Sequence, residues 1–151
     1  MRRIILATVA VLALSPASYA FNTSLNNQHG LNNTNVAVQL GNHNYTSNKQ
    51  RGRNNLSATG QLGNRNTSQT NQRGRGNIAL TGQGGRNNWS ETTQRGRHNG
   101  AATVQIGRGN DSYTTQRGRN NRALTVQLGQ HNYAESSQTG NGNTSIVWQN
   151  N

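Results

Sequence analysis

Three acidic residues, four histidines and fifteen lysines and arginines carry the reactive or charged groups of this 151-residue chain, which contains no cysteine. General acid–base catalysis needs carboxylates held together, and Glu91, Asp111 and Glu135 are scattered rather than paired. No thiolate is present to bind metal or form a disulfide. His29 follows a glutamine by one residue, whereas His43, His98 and His131 follow theirs by four. His43 and His131 fall in equivalent turns about 19 Å apart at a cross-β spacing, too far to share one ion. They read as exposed turn residues. Gly74-Arg75-Gly76 has the composition of a phosphate loop, but no strand–turn–helix pattern or Walker lysine accompanies it. Trp89 and Trp148 offer stacking surfaces or are outer-face strand residues. The chain is therefore expected to be no enzyme, with no cofactor and no metal.

The chemistry the chain does repeat is the amide. Glutamine recurs every eleven residues at Gln28, Gln39, Gln50, Gln61, Gln72, Gln83, Gln94, Gln105, Gln116, Gln127, Gln138 and Gln149. Glycine follows two residues later at Gly30, Gly41, Gly52, Gly63, Gly74, Gly85, Gly96, Gly107, Gly118, Gly129 and Gly140. Asparagine follows five residues after each glutamine, at Asn33, Asn44, Asn55, Asn66, Asn77, Asn88, Asn99, Asn110, Asn121, Asn132 and Asn143. The unit Gln-x-Gly-x-x-Asn-x5 keeps its register without an insertion, as stacked repeat architectures do. Buried amides are costly unless bonded. A stack satisfies them by letting each side chain bond its own copies above and below.

A second period of twenty-two residues overlies the first. Gln-Arg-Gly-Arg occurs at 50–53, 72–75, 94–97 and 116–119, while the intervening units carry Leu40, Leu62, Ile106 and Leu128, and Gly84 breaks the alternation. A stack would place Arg51, Arg73, Arg95 and Arg117 in one column and Arg53, Arg75, Arg97 and Arg119 in a second. Guanidinium suits phosphate and carboxylate. Extracellular DNA, acidic polysaccharide and lipopolysaccharide are the candidate partners. The competing role is solubility, slowing aggregation before export.

The elements that must position these groups follow from the unit. Each glycine with its polar neighbours reads as a turn. The segment from each asparagine to the next glutamine reads as a strand of about six residues. Alternation puts Asn, an Ala or Ser, a Thr and the next Gln on one face, which is assigned inward. That threonine position holds Thr59, Thr70, Thr81, Thr92, Thr103, Thr114 and Thr125. The opposite face, with Leu56, Asn71, Trp89, Glu91, Tyr113 and Arg122, is varied enough to suit solvent. The expected fold is all-β, a β-solenoid of strand–turn–strand coils about 4.8 Å apart, with five and a half 22-residue coils between Gln28 and Gln149. Short, proline-free ends without caps are templates for another chain, which implies end-to-end polymerisation.

Apolar residues make up 28% of the chain, below the roughly 45–50% of ordinary domains, so a conventional core is not available. Composition alone would suggest disorder; the strict register argues against it. Met1-Arg2-Arg3, the apolar run Ile4 to Leu14 and Ser18-Tyr19-Ala20 read as a secretory signal peptide over 1–20, leaving a mature chain of 21–151. The formal charge of +12 falls to about +10 once Arg2 and Arg3 are removed.

The pattern resembles the curlin repeat of bacterial curli amyloid subunits, Ser-x5-Gln-x-Gly-x-x-Asn-x5-Gln. One unit runs Asn55-x5-Gln61-x-Gly63-x-x-Asn66-x5-Gln72, and the small residue two after the asparagine appears at Ser57, Ser68, Ala79, Ser90, Ala101, Ser112, Ala123, Ala134 and Ser145. The chain departs in having Asn for Ser at most unit starts and in its arginine content. The resemblance implies a secreted functional-amyloid subunit that forms an adhesive extracellular fibre, pilus-like or fimbrial, for biofilm formation and surface attachment. It also implies partnership with another curlin subunit and with curli secretion and assembly proteins. Within it, the main fibre subunit is favoured over the minor, membrane-proximal nucleator, whose basic repeats these arginines share. A monomeric β-solenoid that binds ice or a polyanion is the alternative from another class.

Overall fold

A computed structural model describes residues 21–151; the expected signal peptide lies outside the described residues. The strands are β1 (Thr23–Leu31), β2 (Thr34–Asn42), β3 (Tyr45–Arg53), β4 (Leu56–Asn64), β5 (Thr67–Arg75) and β6 (Ile78–Arg86). They continue as β7 (Trp89–Arg97), β8 (Gly100–Arg108), β9 (Asp111–Arg119), β10 (Arg122–Gln130), β11 (Tyr133–Asn141) and β12 (Thr144–Asn150). Odd strands form one six-stranded sheet and even strands the other, each in monotonic order. Pairing is parallel throughout and steps by twenty-two residues, as in Gln50 against Gln72 and Gln61 against Gln83. Residues 21–151 form an all-β solenoid of six coils. The sixth arises because Thr23–Asn27, ahead of the first glutamine, supply the strand of the first unit, which a count from Gln28 leaves out.

Strands are nine residues long rather than about six, β12 excepted. The glycines expected to mark turns lie inside the ladder instead: Gly52 pairs with Gly74 and Gly63 with Gly85. They bend the strand without ending it. Gly52 has φ +125° and Gly63 φ +113°. A Cβ on Gly74 would sit 1.9 Å from the Gly96 carbonyl oxygen one coil on, so neither this backbone nor this approach tolerates a side chain.

The connection proper is two residues, and its first member is left-handed in all eleven links. Asn32, His43, Asn54, Arg65, Asn87, His98, Asn120 and His131 have φ between 52° and 57°, and Gly76, Gly109 and Gly142 between 65° and 71°. Asparagine, histidine and glycine are the residues that accept this region most readily. Hydrogen bonds run around these corners too, for instance from Gly76 N–H to the Arg53 carbonyl at 3.0 Å.

The interior is almost wholly polar. Ala37, Ala79, Ala101, Ala123 and Ala134 are the buried apolar residues among those described, and the rest of the core is Ser, Thr, Asn and Gln. Two sheets this close leave room only for small side chains and for amides lying along the stacking axis. The threonine column from Thr59 to Thr125 is buried, so it offers no flat outer array of the kind an ice-binding surface requires.

The outer faces differ from the mixed, solvent-suited surface the unit pattern implied. Eleven of the fifteen exposed large apolar side chains among the described residues lie on the even sheet, including Val36, Leu62, Ile78, Leu80, Val104 and Ile106. All three acids and both arginine columns lie on the odd sheet. Averaging over eleven residues mixes the two sheets; reading at twenty-two separates them.

Candidate functional site

The glutamines are held by alternation: each is the third inward residue of its strand, as Ser57, Thr59 and Gln61 are in β4. Gln39, Gln50, Gln61, Gln72, Gln83, Gln94, Gln105, Gln116, Gln127 and Gln138 are all buried. Except for Gln138, the last of the odd sheet, Nε2 of each donates to Oε1 of the glutamine one coil on. On the odd sheet the chain runs from Gln28 to Gln138 at 2.7–2.9 Å. On the even sheet it runs from Gln39 to Gln149 over the same distances. The second Nε2 hydrogen crosses to the opposite sheet, as from Gln72 to the Leu56 carbonyl and from Gln105 to the Trp89 carbonyl, at 2.9 and 2.8 Å. An interior glutamine thus uses both donors and its acceptor.

The asparagines close the corners. Asn44, Asn55, Asn66, Asn77, Asn88, Asn99, Asn110, Asn121 and Asn132 are buried. Except for Asn132, in the last coil, Oδ1 of each accepts the backbone N–H of the asparagine one coil on, as at Asn44 to Asn66 (3.0 Å) and Asn55 to Asn77 (3.2 Å). From Asn44 to Asn121, Nδ2 donates to the corner glycine of the next coil, Asn44 to Gly63 at 2.9 Å and Asn121 to Gly140 at 3.0 Å. Gly41, Gly52, Gly63, Gly74, Gly85, Gly96, Gly107, Gly118 and Gly129 therefore offer both the bend and the carbonyl that the asparagine needs.

Several inward hydroxyls have no hydrogen-bond partner, among them Ser68, Ser90 and Ser112, consecutive members of one column. Their positions are alanine elsewhere in the repeat, at Ala79 and Ala101. Size, not hydrogen bonding, is what the site demands there.

The structure brings the predicted arginines together. Arg51, Arg73, Arg95 and Arg117 pair in register, as do Arg53, Arg75, Arg97 and Arg119. All eight are exposed. They form a ridge on the odd sheet beside the corner that leads to the even sheet, with His29 extending the first column by one coil. A shallow groove follows it past His29, Arg51 and Arg73. The acids sit on the same sheet but nearer the strand starts, where Tyr113 and Tyr133 have ring centroids 5.8 Å apart. Partial burial, then the neighbouring Asp111 and Glu91, raise the Tyr113 phenol above its ordinary value.

The histidines occupy corner or strand-end positions, and no group of three or more His, Asp or Glu that could hold a metal ion occurs among the described residues. Trp89 is half-buried on the odd sheet, its indole N–H without a partner, and Trp148 is exposed on the even sheet. Sequence reasoning missed two features: the left-handed column and the apolar even face. The first was visible as Asn, His or Gly four residues after ten of the eleven glutamines from Gln28 to Gln138, with Arg65 the exception.

Among known proteins, the family model described as the curlin associated repeat matches residues 118–150. That segment is continuous in register with the strands before it, through β8 to β10 and β9 to β11. Neither the curated proteins nor the solved structures give a match.

Proposed function

We propose that this chain, whose residues 118–150 match the curlin associated repeat, is a curlin-type secreted amyloid subunit that stacks end to end into an extracellular fibre. The observation that carries the reading is the one-directional glutamine chain. At one end of the solenoid, Oε1 of Gln28 and Gln39 receives no glutamine donor. At the other, Gln138 and Gln149 each spend one Nε2 hydrogen on a carbonyl and have a second to give. A second copy whose first coil lies one step beyond the last coil of the first continues both columns. The edge strands β1 and β2, and β11 and β12, gain ladder partners in the same step.

Gly140 provides the test. A Cβ there meets only Asn143 Nδ2, at 3.6 Å, whereas one at Gly118 falls 1.9 Å from the Gly140 carbonyl oxygen. In a stack, Gly30 of the next copy would stand to Gly140 as Gly140 stands to Gly118. Residues 21–151 diluted from denaturant are expected to show a lag and then thioflavin-positive growth, with reflections near 4.7 and 10 Å. Gly140→Ala also strains its own backbone at φ +110°, a cost confined to the last coil. It is expected to keep most of the strand circular dichroism of the isolated chain and to stop elongation. Gly142→Ala, at a left-handed site with nothing within 4 Å of its Cβ, is the control that carries backbone strain without the blocked approach. Elongation of Gly140→Ala at the wild-type rate would sink end-to-end stacking.

Adhesion, biofilm formation and surface attachment are the roles we assign to the fibre, with this chain as main subunit. Growth without a lag, together with removal of another curlin's lag at trace amounts, would reassign it as the nucleator. A stable soluble monomer would favour a solenoid binding module. The arginine ridge supports contact with a polyanion, whether extracellular DNA, acidic polysaccharide or lipopolysaccharide. Two guanidiniums in each of four consecutive coils, on the order of 4.8 Å apart along the axis, make a dense linear cation.

A further inference from the structure

We infer that the outer face of the even sheet is the surface through which two copies of this chain pair side by side, so that the fibre is a double filament. The inference rests on the axial stacking proposed above and adds to it a lateral contact that the repeat itself does not require.

The chemistry of that face is the first argument. Its outward columns are Val36, Ala58, Leu80, Ala102, Leu124 and Ile146 along one line, and Leu40, Leu62, Gly84, Ile106 and Leu128 along another. Charge enters only at Arg122 and, at the strand ends, Arg86 and Arg108. A face this apolar on a chain with few apolar residues is not explained by folding, since the solenoid closes its core without it. Contiguous exposed apolar surface of this extent marks a contact.

Area and charge then choose the occupant. Six strands about 4.8 Å apart and about seven residues of 3.3 Å make a patch on the order of 650 Å². One partner of a standard stable interface contributes about 800 Å², so a single pair falls slightly short and two stacked copies exceed it. Lateral pairing therefore strengthens as the filament lengthens. A second copy also answers the charge problem. Both arginine columns lie on the odd sheet, so pairing even face to even face leaves the ridges outward. Three sheet spacings of about 10 Å separate them, beyond a Debye length of about 8 Å. Odd-to-odd pairing would set ridge against ridge. Odd-to-even pairing would bury one arginine ridge against the apolar columns of its neighbour, which leaves its guanidiniums without counter-charges.

The shape fits as well. Gly60 and Gly82 are adjacent in the ladder, and a Cβ on either would meet nothing within 4 Å. Gly84, beside Leu62 and Ile106 in the next column, meets only Ile106 Cγ1 at 3.9 Å. These glycines open a hollow at the middle of the face, flanked by projecting leucine and isoleucine. Two such faces related by a two-fold axis set the projections of one into the hollow of the other, the dry interdigitation of paired cross-β sheets.

Mass per length of wild-type fibres, read by scanning transmission electron microscopy, tests this directly. Two chains per six coils, about 29 Å of axis, is the expected result, and one chain per six coils overturns it. Leu62→Lys combined with Ile106→Lys is expected to halve the value while the 4.7 Å reflection persists. The control Gln69→Lys combined with Thr93→Lys, on the odd sheet, is expected to leave it unchanged. If no fibre forms from wild-type protein, the stacking reading has failed. Pairing is then read by sedimentation of the soluble protein, where a dimer lost in the Leu62/Ile106 variant supports it and a monomer overturns it. Single filaments that bind phosphatidylcholine vesicles through this face would replace the second copy by a lipid surface.

Discussion

At the scale of single residues, the interior separates groups whose hydrogen bonds are indispensable from groups whose size alone matters. Gln94 accepts from Gln72 and donates to Gln116 and to the Ile78 carbonyl, each at 2.9 Å. Gln94→Ala leaves three buried groups unpaired at about 1–3 kcal/mol apiece. We expect a loss of about 3–5 kcal/mol, seen as a large fall in the guanidinium midpoint of the strand signal. Ser90 is the opposite case, a buried hydroxyl with no partner. Ser90→Ala should leave stability unchanged or raise it by up to about 1 kcal/mol, on the same measurement. A marked loss would mean the hydroxyl has a role that its surroundings do not show.

At the scale of the element, the corner has two distinct requirements. Glycine bends the strand where successive backbones approach too closely for a Cβ, and Gly74→Ala should cost several kcal/mol because the obstacle is the Gly96 carbonyl, not a movable side chain. The left-handed residue is more tolerant. Arg65 has φ +56° where most coils place Asn, His or Gly, so Arg65→Asn should raise stability by about 0.5–1 kcal/mol, again read from the denaturant midpoint. The same corner shows what the sequence could and could not disclose. The inward face was legible because a stack must repeat its core residues column by column, and Gln50, Asn55, Ser57 and Thr59 do so. Turn position was not, because glycine among polar neighbours ordinarily marks the end of a strand. Gly52 instead carries the ladder through a bend, and Asn54 makes the link. The even face was obscured for a different reason: Leu56 and Trp89, three units apart, share one face of an eleven-residue unit although they belong to opposite sheets.

At the scale of the whole molecule, charge and apolar surface lie on opposite sides of a rod whose interior is uniform. Self-repulsion among chains of about +10 opposes assembly, and salt screens it. Elongation should therefore accelerate between low and physiological ionic strength, read as a shorter thioflavin half-time. Polyanion binding should move the other way: fibres in which Arg51, Arg73, Arg95 and Arg117 become Gln should bind duplex DNA more weakly and with a shallower salt slope. The rod's interior has one more consequence. Odd and even strands present nearly the same inward columns, so a copy added half a turn out still meets matching amides on one side, with Gln149 of β12 donating to Gln28 of its β1. Because each copy brings twelve strands, such a fault leaves the level beyond β11 empty and Gln138 without its partner. From that join onward the arginine ridge would run along the apolar side and the contact with a neighbouring filament would break. An even number of strands therefore keeps one side of the whole fibre charged and the other apolar.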